Sequence, residues 1–167
     1  MEVRAGKRED LAQIMEVIHD AQEKMHAMGI RQWINGYPDE EQILSDMEEG
    51  GSLVLTDQGK IIGTCFVRYG DEPDYHYIEN GTWLDDEPYA VIHRIAVHSS
   101  CRGHNTASMF IEHVRQECLK KGIHSIRIDT HDDNMPMQHF LGRQNFILCG
   151  RIYLASGDPR RAYQIIF

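Results

Sequence analysis

Residues 97–110 read VHSSCRGHNTASMF. A β-branched valine, a short polar turn and a helical pattern follow one another, so Arg102, Gly103, His104, Asn105, Thr106 and Ala107 stand where a strand hands over to a helix. The first N–H groups of a helix lack intrahelical acceptors and its dipole end is positive, so such a turn beside a guanidinium suits a phosphate or pyrophosphate. Two familiar cradles fail. No Lys-Ser or Lys-Thr follows the turn, as a Walker loop requires, and the dinucleotide fingerprint needs G-x-G-x-x-G after an early strand. A second stretch, DTHDDN, offers Asp129, His131, Asp132 and Asp133 to a metal ion. Strand alternation sends Asp129 and His131 to one face and Thr130 to the other, so the set does not converge as a whole and no metal is expected.

Twenty-six acids against seventeen bases leave a net charge of −9. Nucleic-acid binding needs a basic footprint, so no nucleic-acid partner is expected, whereas a cationic substrate suits the field. No window of about 18 apolar residues exists to cross a bilayer, and the N-terminus MEVRAGKREDLAQIMEVI has no apolar signal region. These features predict a cytoplasmic protein without a membrane partner. Cys65, Cys101, Cys118 and Cys149 lie far apart, which predicts reduced thiols rather than a disulfide framework or a zinc site.

The elements that must position these groups follow from period and punctuation. Leu11, Ile14, Met15 and Ile18 recur at helical spacing between the entry Arg8–Asp10 and the stop Gly29. A second helix opens at Pro38 with Asp39, Glu40 and Glu41 and closes at Gly50-Gly51. β-Rich runs on both sides of Asp57-Gln58-Gly59-Lys60 predict a hairpin, and a long polar and aromatic loop, Asp71 to Pro88, follows. YAVIHRIAVH reads as a strand, TASMFIEHVRQECLKKG as a helix, IHSIRIDT as a strand and NMPMQHFLGRQ as a short helix. FILCGRIYL and AYQIIF close the chain as strands around SGDPR. Intermixed elements without repeats or linkers predict one α/β (α+β) domain over residues 1–167.

With Arg102, Asn105 and Ala107 at the three defined positions of [R/Q]-x-x-G-x-[G/A] after a central strand, the chain resembles the GNAT superfamily of acyl-CoA-dependent N-acetyltransferases. Asparagine stands where the family has its central glycine. It is the non-glycine residue most tolerant of positive φ, so the turn can survive the exchange. IHRIAVHSSCRG resembles the family's fourth strand, DTHDDNMPM the end of the fifth, and FLGRQNFILCGRIYL the closing helix and sixth strand, with Asn145 replacing a helix-ending glycine. The resemblance spans nearly the whole chain. It implies a central mixed, mostly antiparallel sheet of six to seven strands, splayed between strands 4 and 5 and flanked by about four helices.

The resemblance also implies roles. Acetyl-CoA is the co-substrate, with its pantetheine beside Ile95, Ala96, Val97 and Asn134 and its pyrophosphate on Arg102, Gly103, His104, Asn105, Thr106 and Ala107; the alternative for Asn134 is a plain helix N-cap. An attacking amine must be neutral, so a base is needed. His93 is the first candidate and His98 and His131, at strand ends, are alternatives. The tyrosine that usually helps the thiolate depart is replaced by Leu141, for which Tyr153, Tyr163 or solvent could stand in. Trp33, Tyr37 and Trp83, with acidic neighbours, are candidate walls for a cationic acceptor, either a small-molecule amine or a protein amino group. A homodimer is compatible with these features. The competing readings are an acyl-CoA sensor without catalysis and a protein that uses the same turn for ATP.

Overall fold

In a computed structural model, which describes residues 1–101 and 105–167, Gln58 and Gly59 take φ of 47° and 81°. Those positive values are what a two-residue I′ turn needs to match the twist of its flanking strands. The turn joins β2 (Ser52–Asp57) to β3 (Lys60–Tyr69), closed by the pair Asp57 and Lys60. On the other side of β2 lies β1 (Glu2–Ala5), antiparallel, with Val3 opposite Leu55. β1 is too short for its alternation of Val3 and Ala5 to stand out in sequence. The other strands are β4 (Ala90–Val97), β5 (Ser125–Thr130), β6 (Ile147–Tyr153) and β7 (Pro159–Ile166). Proline can open β7 because the first residue of a strand need not donate to the ladder. The helices are α1 (Leu11–Ala27), α2 (Glu40–Glu48), α3 (Thr106–Lys120) and α4 (Met135–Arg143).

The strand order is β1-β2-β3-β4-β5-β7-β6. β4 and β5 run parallel, Ala90 opposite Ile126 and Val91 opposite Arg127, while β1 with β2, β2 with β3, β5 with β7 and β6 with β7 are antiparallel. The expected α+β fold with a mixed, mostly antiparallel sheet is present, with seven strands and four α-helices among the described residues. No helix among those residues is long and apolar enough to cross a membrane. The four cysteines carry free thiols.

The chain divides into two compact units. The first comprises Met1–Val67 and His93–Val114. Its core forms where Ile14, Val17, Ile18 and Ala21, one face of α1, meet Ile43 of α2, Val54, Ile61 and Ala96; each large aliphatic side chain buried there contributes about 1.5–3 kcal/mol. Asp39 caps α2 by accepting the Gln42 N–H at 2.9 Å.

The second unit comprises Arg68–Ile92 and Arg115–Phe167, around Tyr75, Val91, Ile152 and Ala162. The long loop between β3 and β4 is packed into it. Glu79 forms an antiparallel bridge with Arg151 of β6, each N–H donating to the other's carbonyl at 2.9 Å. Glycine permits this approach: a Cβ on Gly81 would stand 1.9 Å from the Cys149 carbonyl oxygen, and one on Gly150 2.6 Å from that of Glu79.

Candidate active site

β4 carries the candidate base. His93 is half-buried, and Arg94 follows it at φ 53°, a left-handed conformation that a long side chain rarely takes within a strand. Strand neighbours normally point to opposite faces. Here both reach the same side chain: the His93 ring stacks on Phe66 of β3 with centroids 6.1 Å apart, and the Arg94 guanidinium lies 4.8 Å from the Phe66 centroid. Arg94 Nε and Nη2 donate to the Asp46 carboxylate at 2.8 and 2.5 Å, and Nη1 donates to the Tyr37 hydroxyl at 3.0 Å. Asp46 is 2% exposed. Burial works against the Arg94 charge, yet the bonds to Asp46 and Tyr37 more than offset it and hold its pKa above the ordinary arginine value. Sequence reasoning missed this pair. The available signal was an acid three residues after Ile43 on the apolar face of α2, a place where an unpaired charge is costly.

Downstream on β4, Ala96 is buried and Ile95 and Val97 are half-buried. The His98 N–H donates to the Ile62 carbonyl at 2.9 Å. Its ring lies beside Ser100, with Nδ1 2.8 Å from Oγ, and its Nε2 is 3.9 Å from Asp20 of α1. Asp20 accepts both the N–H and the hydroxyl of Ser99 at 2.7 Å. Burial pushes the Asp20 carboxyl up, but the Ser99 donors outweigh it and leave the group below its ordinary range. Arg102, Gly103 and His104 lie outside the described residues. Beyond them Asn105 sits at φ 54°, as the tolerance argument expects, and α3 begins at Thr106, whose hydroxyl donates to the Cys101 carbonyl at 2.9 Å. Ala107 occupies the first turn of α3. A left-handed residue that ends in a helix N-terminus is an arrangement able to receive a pyrophosphate.

The second unit holds the other candidates. Asn134 is an N-cap: 9% exposed, it accepts the Met137 N–H at 3.1 Å and opens α4. Leu141 is fully buried core, so the place of the usual tyrosine is occupied by an aliphatic side chain. His131 Nδ1 accepts the Asp133 N–H at 3.0 Å, which leaves the ring proton on Nε2. Asp132 receives Arg151 at 2.9 and 3.2 Å and Arg161 at 2.9 Å, and Arg151 foremost holds its carboxyl below the usual range. Asp129 accepts the Tyr75 hydroxyl at 2.7 Å. The Tyr153 hydroxyl donates to Glu79, and Tyr163 is buried.

The aromatic candidates differ in setting. Tyr37 is 41% exposed with its oxygen turned to Arg94. Trp33 packs on the first unit's core at φ 58°, and its carbonyl accepts from His26 at 3.1 Å. Trp83 is built into the second unit: its indole N–H donates to the Tyr75 carbonyl at 2.9 Å, and its ring lies 4.3 Å from the Arg127 guanidinium.

The model of the acetyltransferase (GNAT) family matches residues 14–146. Among solved structures, a GNAT-family acetyltransferase from Streptococcus agalactiae 2603 is 32% identical with a TM-score of 0.89, over 99% of this chain and 95% of that one. A GNAT-family acetyltransferase from Listeria monocytogenes 4b F2365 shares 20% identity with a TM-score of 0.74, over 99% and 94%. The PaiA N-acetyltransferase from Thermoplasma acidophilum, in complex with coenzyme A, shares 16% with a TM-score of 0.73, over 99% and 98%. At those lower identities the likeness carries the fold alone. No curated protein sequence matches. The chain therefore belongs to the GNAT acetyltransferase family. It is an N-acetyltransferase that uses acetyl-CoA and an amine acceptor.

Proposed function

We propose that residues 1–167 act as one acetyltransferase domain in which β4 carries the proton chemistry and the α3 entry holds the CoA pyrophosphate. The observation that carries this reading is the pair of left-handed residues, Arg94 and Asn105, on the two sides of Ile95, Ala96 and Val97. Acetyl-CoA supplies an acetyl group activated as a thioester. In this reading backbone groups of Ile95–Val97 orient the pantetheine and the thioester carbonyl, Arg102 to Ala107 take the pyrophosphate, and Asn134 supports the pantetheine arm while capping α4. His93 takes the proton that the acceptor ammonium must lose, directly or through water, with His98 and His131 as alternatives. The freed amine then forms the C–N bond as the C–S bond breaks, with no covalent enzyme intermediate. Leu141 offers no proton, so the second proton, shed by the nitrogen as the amide forms, passes through solvent to the departing thiolate.

The acceptor in this reading is a primary amine, small or protein-borne, admitted past Trp33 and Tyr37, with Trp83 stiffening the loop of the second unit. The acidic net charge of −9 supports a cationic acceptor and argues against nucleic acid. Free thiols and a metabolite co-substrate support a cytoplasmic location, and a homodimer is compatible with the reading. The test is thiol release over a panel of primary amines, with calorimetry for CoA. His93→Ala should lower kcat about a hundredfold with CoA affinity retained, and Arg102→Ala should weaken CoA binding. Wild-type turnover in His93→Ala from about pH 6 to 9 refutes the base, and unchanged CoA affinity in Arg102→Ala refutes the cradle.

A further inference from the structure

The first unit keeps one ion pair away from water. Both Asp46 oxygens are engaged: Oδ1 by Arg94 Nη2 and by Gln42 Nε2 at 3.0 Å, Oδ2 by Arg94 Nε. A desolvated pair of this kind adds little stability over apolar residues of the same volume. Its arginine also sits at φ 53°, a left-handed conformation that strains an L residue with a long side chain. Strain retained within a strand, next to a candidate base, points to a functional constraint.

The contacts show what the pair holds. Arg94 shares Phe66 with the His93 ring, so the guanidinium and the imidazole are placed against one side chain. Arg94 Nη1 donates to the Tyr37 oxygen. The phenol's own proton is therefore available for a bond directed away from the guanidinium. The loop before α2 is tied from α1 as well, where Gln22 Nε2 donates to the Tyr37 carbonyl at 2.8 Å and His26 donates to that of Trp33. Asp46 thus fixes a guanidinium, and the guanidinium fixes two of the groups assigned to the acceptor side. Lysine has one point of charge and no planar fork, so it cannot hold both.

We infer that Asp46 and Arg94 are a positioning pair for acetyl transfer, which sets the His93 imidazole and the Tyr37 hydroxyl in fixed relation to each other without touching substrate. The inference rests on the reading of His93 as the base. The test uses the full chain carrying Asp46→Asn, Arg94→Lys, Arg94→Gly, His93→Gln, or Asp46→Asn with His93→Gln. Thermal melts confirm that each variant is folded. One readout is the imidazole C–H resonance of His93, assigned by its loss in His93→Gln and shifted by the Phe66 ring current, which is measured whatever amine is turned over. The other is thiol release with 2-phenylethylamine and spermidine as acceptors.

Asp46→Asn and Arg94→Lys are expected to move the His93 resonance and lower kcat about ten- to hundredfold, with the acetyl-CoA KM within about twofold. Arg94→Gly relieves the backbone but has no fork, so it should be as slow as Arg94→Lys. In the His93→Gln background Asp46→Asn should cost little more. A folded Asp46→Asn or Arg94→Lys protein with an unmoved resonance and wild-type kcat overturns the inference. So does an Asp46→Asn loss that persists in full beside His93→Gln. A slow His93→Gln next to a wild-type Asp46→Asn refutes the pair alone, whereas a wild-type His93→Gln refutes the base and this route of action with it.

Discussion

Asn105 holds φ at 54° one residue before α3, and its carbonyl accepts the Ser108 N–H at 3.1 Å and the Ser108 hydroxyl. If CoA affinity depends on this turn, substitutions there should follow the cost of the left-handed region rather than the chemistry of the side chain. Glycine adopts that region freely, asparagine at small cost, and a β-branched residue worst of all. For Asn105→Val we expect a loss of about 1–2 kcal/mol, which at about 1.4 kcal/mol per decade is roughly tenfold in CoA affinity. Asn105→Gly should bind within about twofold, its added loop entropy working against its freedom from strain. Isothermal calorimetry with CoA measures the affinities. Thermal unfolding without CoA separates strain borne by the free fold from strain felt only on binding. A loss in Asn105→Gly as large as in Asn105→Val refutes the argument, because the amide side chain would then be the ligand.

Two further perturbations test the frame around the site. A Cβ on Gly81 would meet the Cys149 carbonyl oxygen at 1.9 Å, with φ at 155°, so Gly81→Ala should lift the Glu79 bridge off β6 and lower Tm by several degrees, at about 2–4 °C per kcal/mol for a chain of this size; an unchanged melt refutes it. Arg4 donates to Asp10 at 2.7 and 2.9 Å and is the main reason that the Asp10 carboxyl titrates below its ordinary range. A depressed carboxylate stabilises the fold fully above its unfolded pKa of about 3.9 and ceases to as pH falls through the lower folded value. Arg4→Gln should therefore flatten the acid limb of stability below about pH 4 in urea titrations, and an acid limb of unchanged slope refutes the assignment.

Most of the fold was legible because its signals are local. Of the helical period Leu11, Ile14, Met15 and Ile18, the last three are buried on α1, the Gln58-Gly59 turn needs two positive φ values and has them, and the acid Asp39 expected at the start of α2 is its cap. Asn145, placed by the resemblance where the family has a helix-ending glycine, sits at φ 64° and donates to the Gly142 carbonyl at 3.1 Å. What failed to show was equally physical. β1 has four residues, of which Val3 and Arg4 alone are half-buried, too few to establish a period. β7 starts at Pro159, before the apolar run at Ala162, because its first residues pair with β6 whatever their side chains.

The candidate site was legible only where a single segment carries it. The strand, turn and helix from Ile95 to Ala107 could be read as a cradle because their order is written in adjacent residues. The Asp46–Arg94 pair could not, since its members are 48 residues apart and an alternating pattern contains no mark for a left-handed residue. Yet each member is an anomaly by itself: an acid on the apolar stripe of α2, and an arginine among the β-branched and apolar residues of β4. A desolvated charge requires a partner of opposite sign. Two such anomalies of opposite charge, placed in one unit by the structure, therefore account for each other. On β5 a buried charge is answered differently. Arg127 is met by the Asp85 carbonyl at 2.7 Å and by the rings of Trp83 and Tyr89 at 4.3 and 3.9 Å. Burial accordingly lowers its pKa, where the carboxylate beside Arg94 raises it. Of these two arginines, the one hydrogen-bonded directly to a carboxylate is the one on the strand that carries His93.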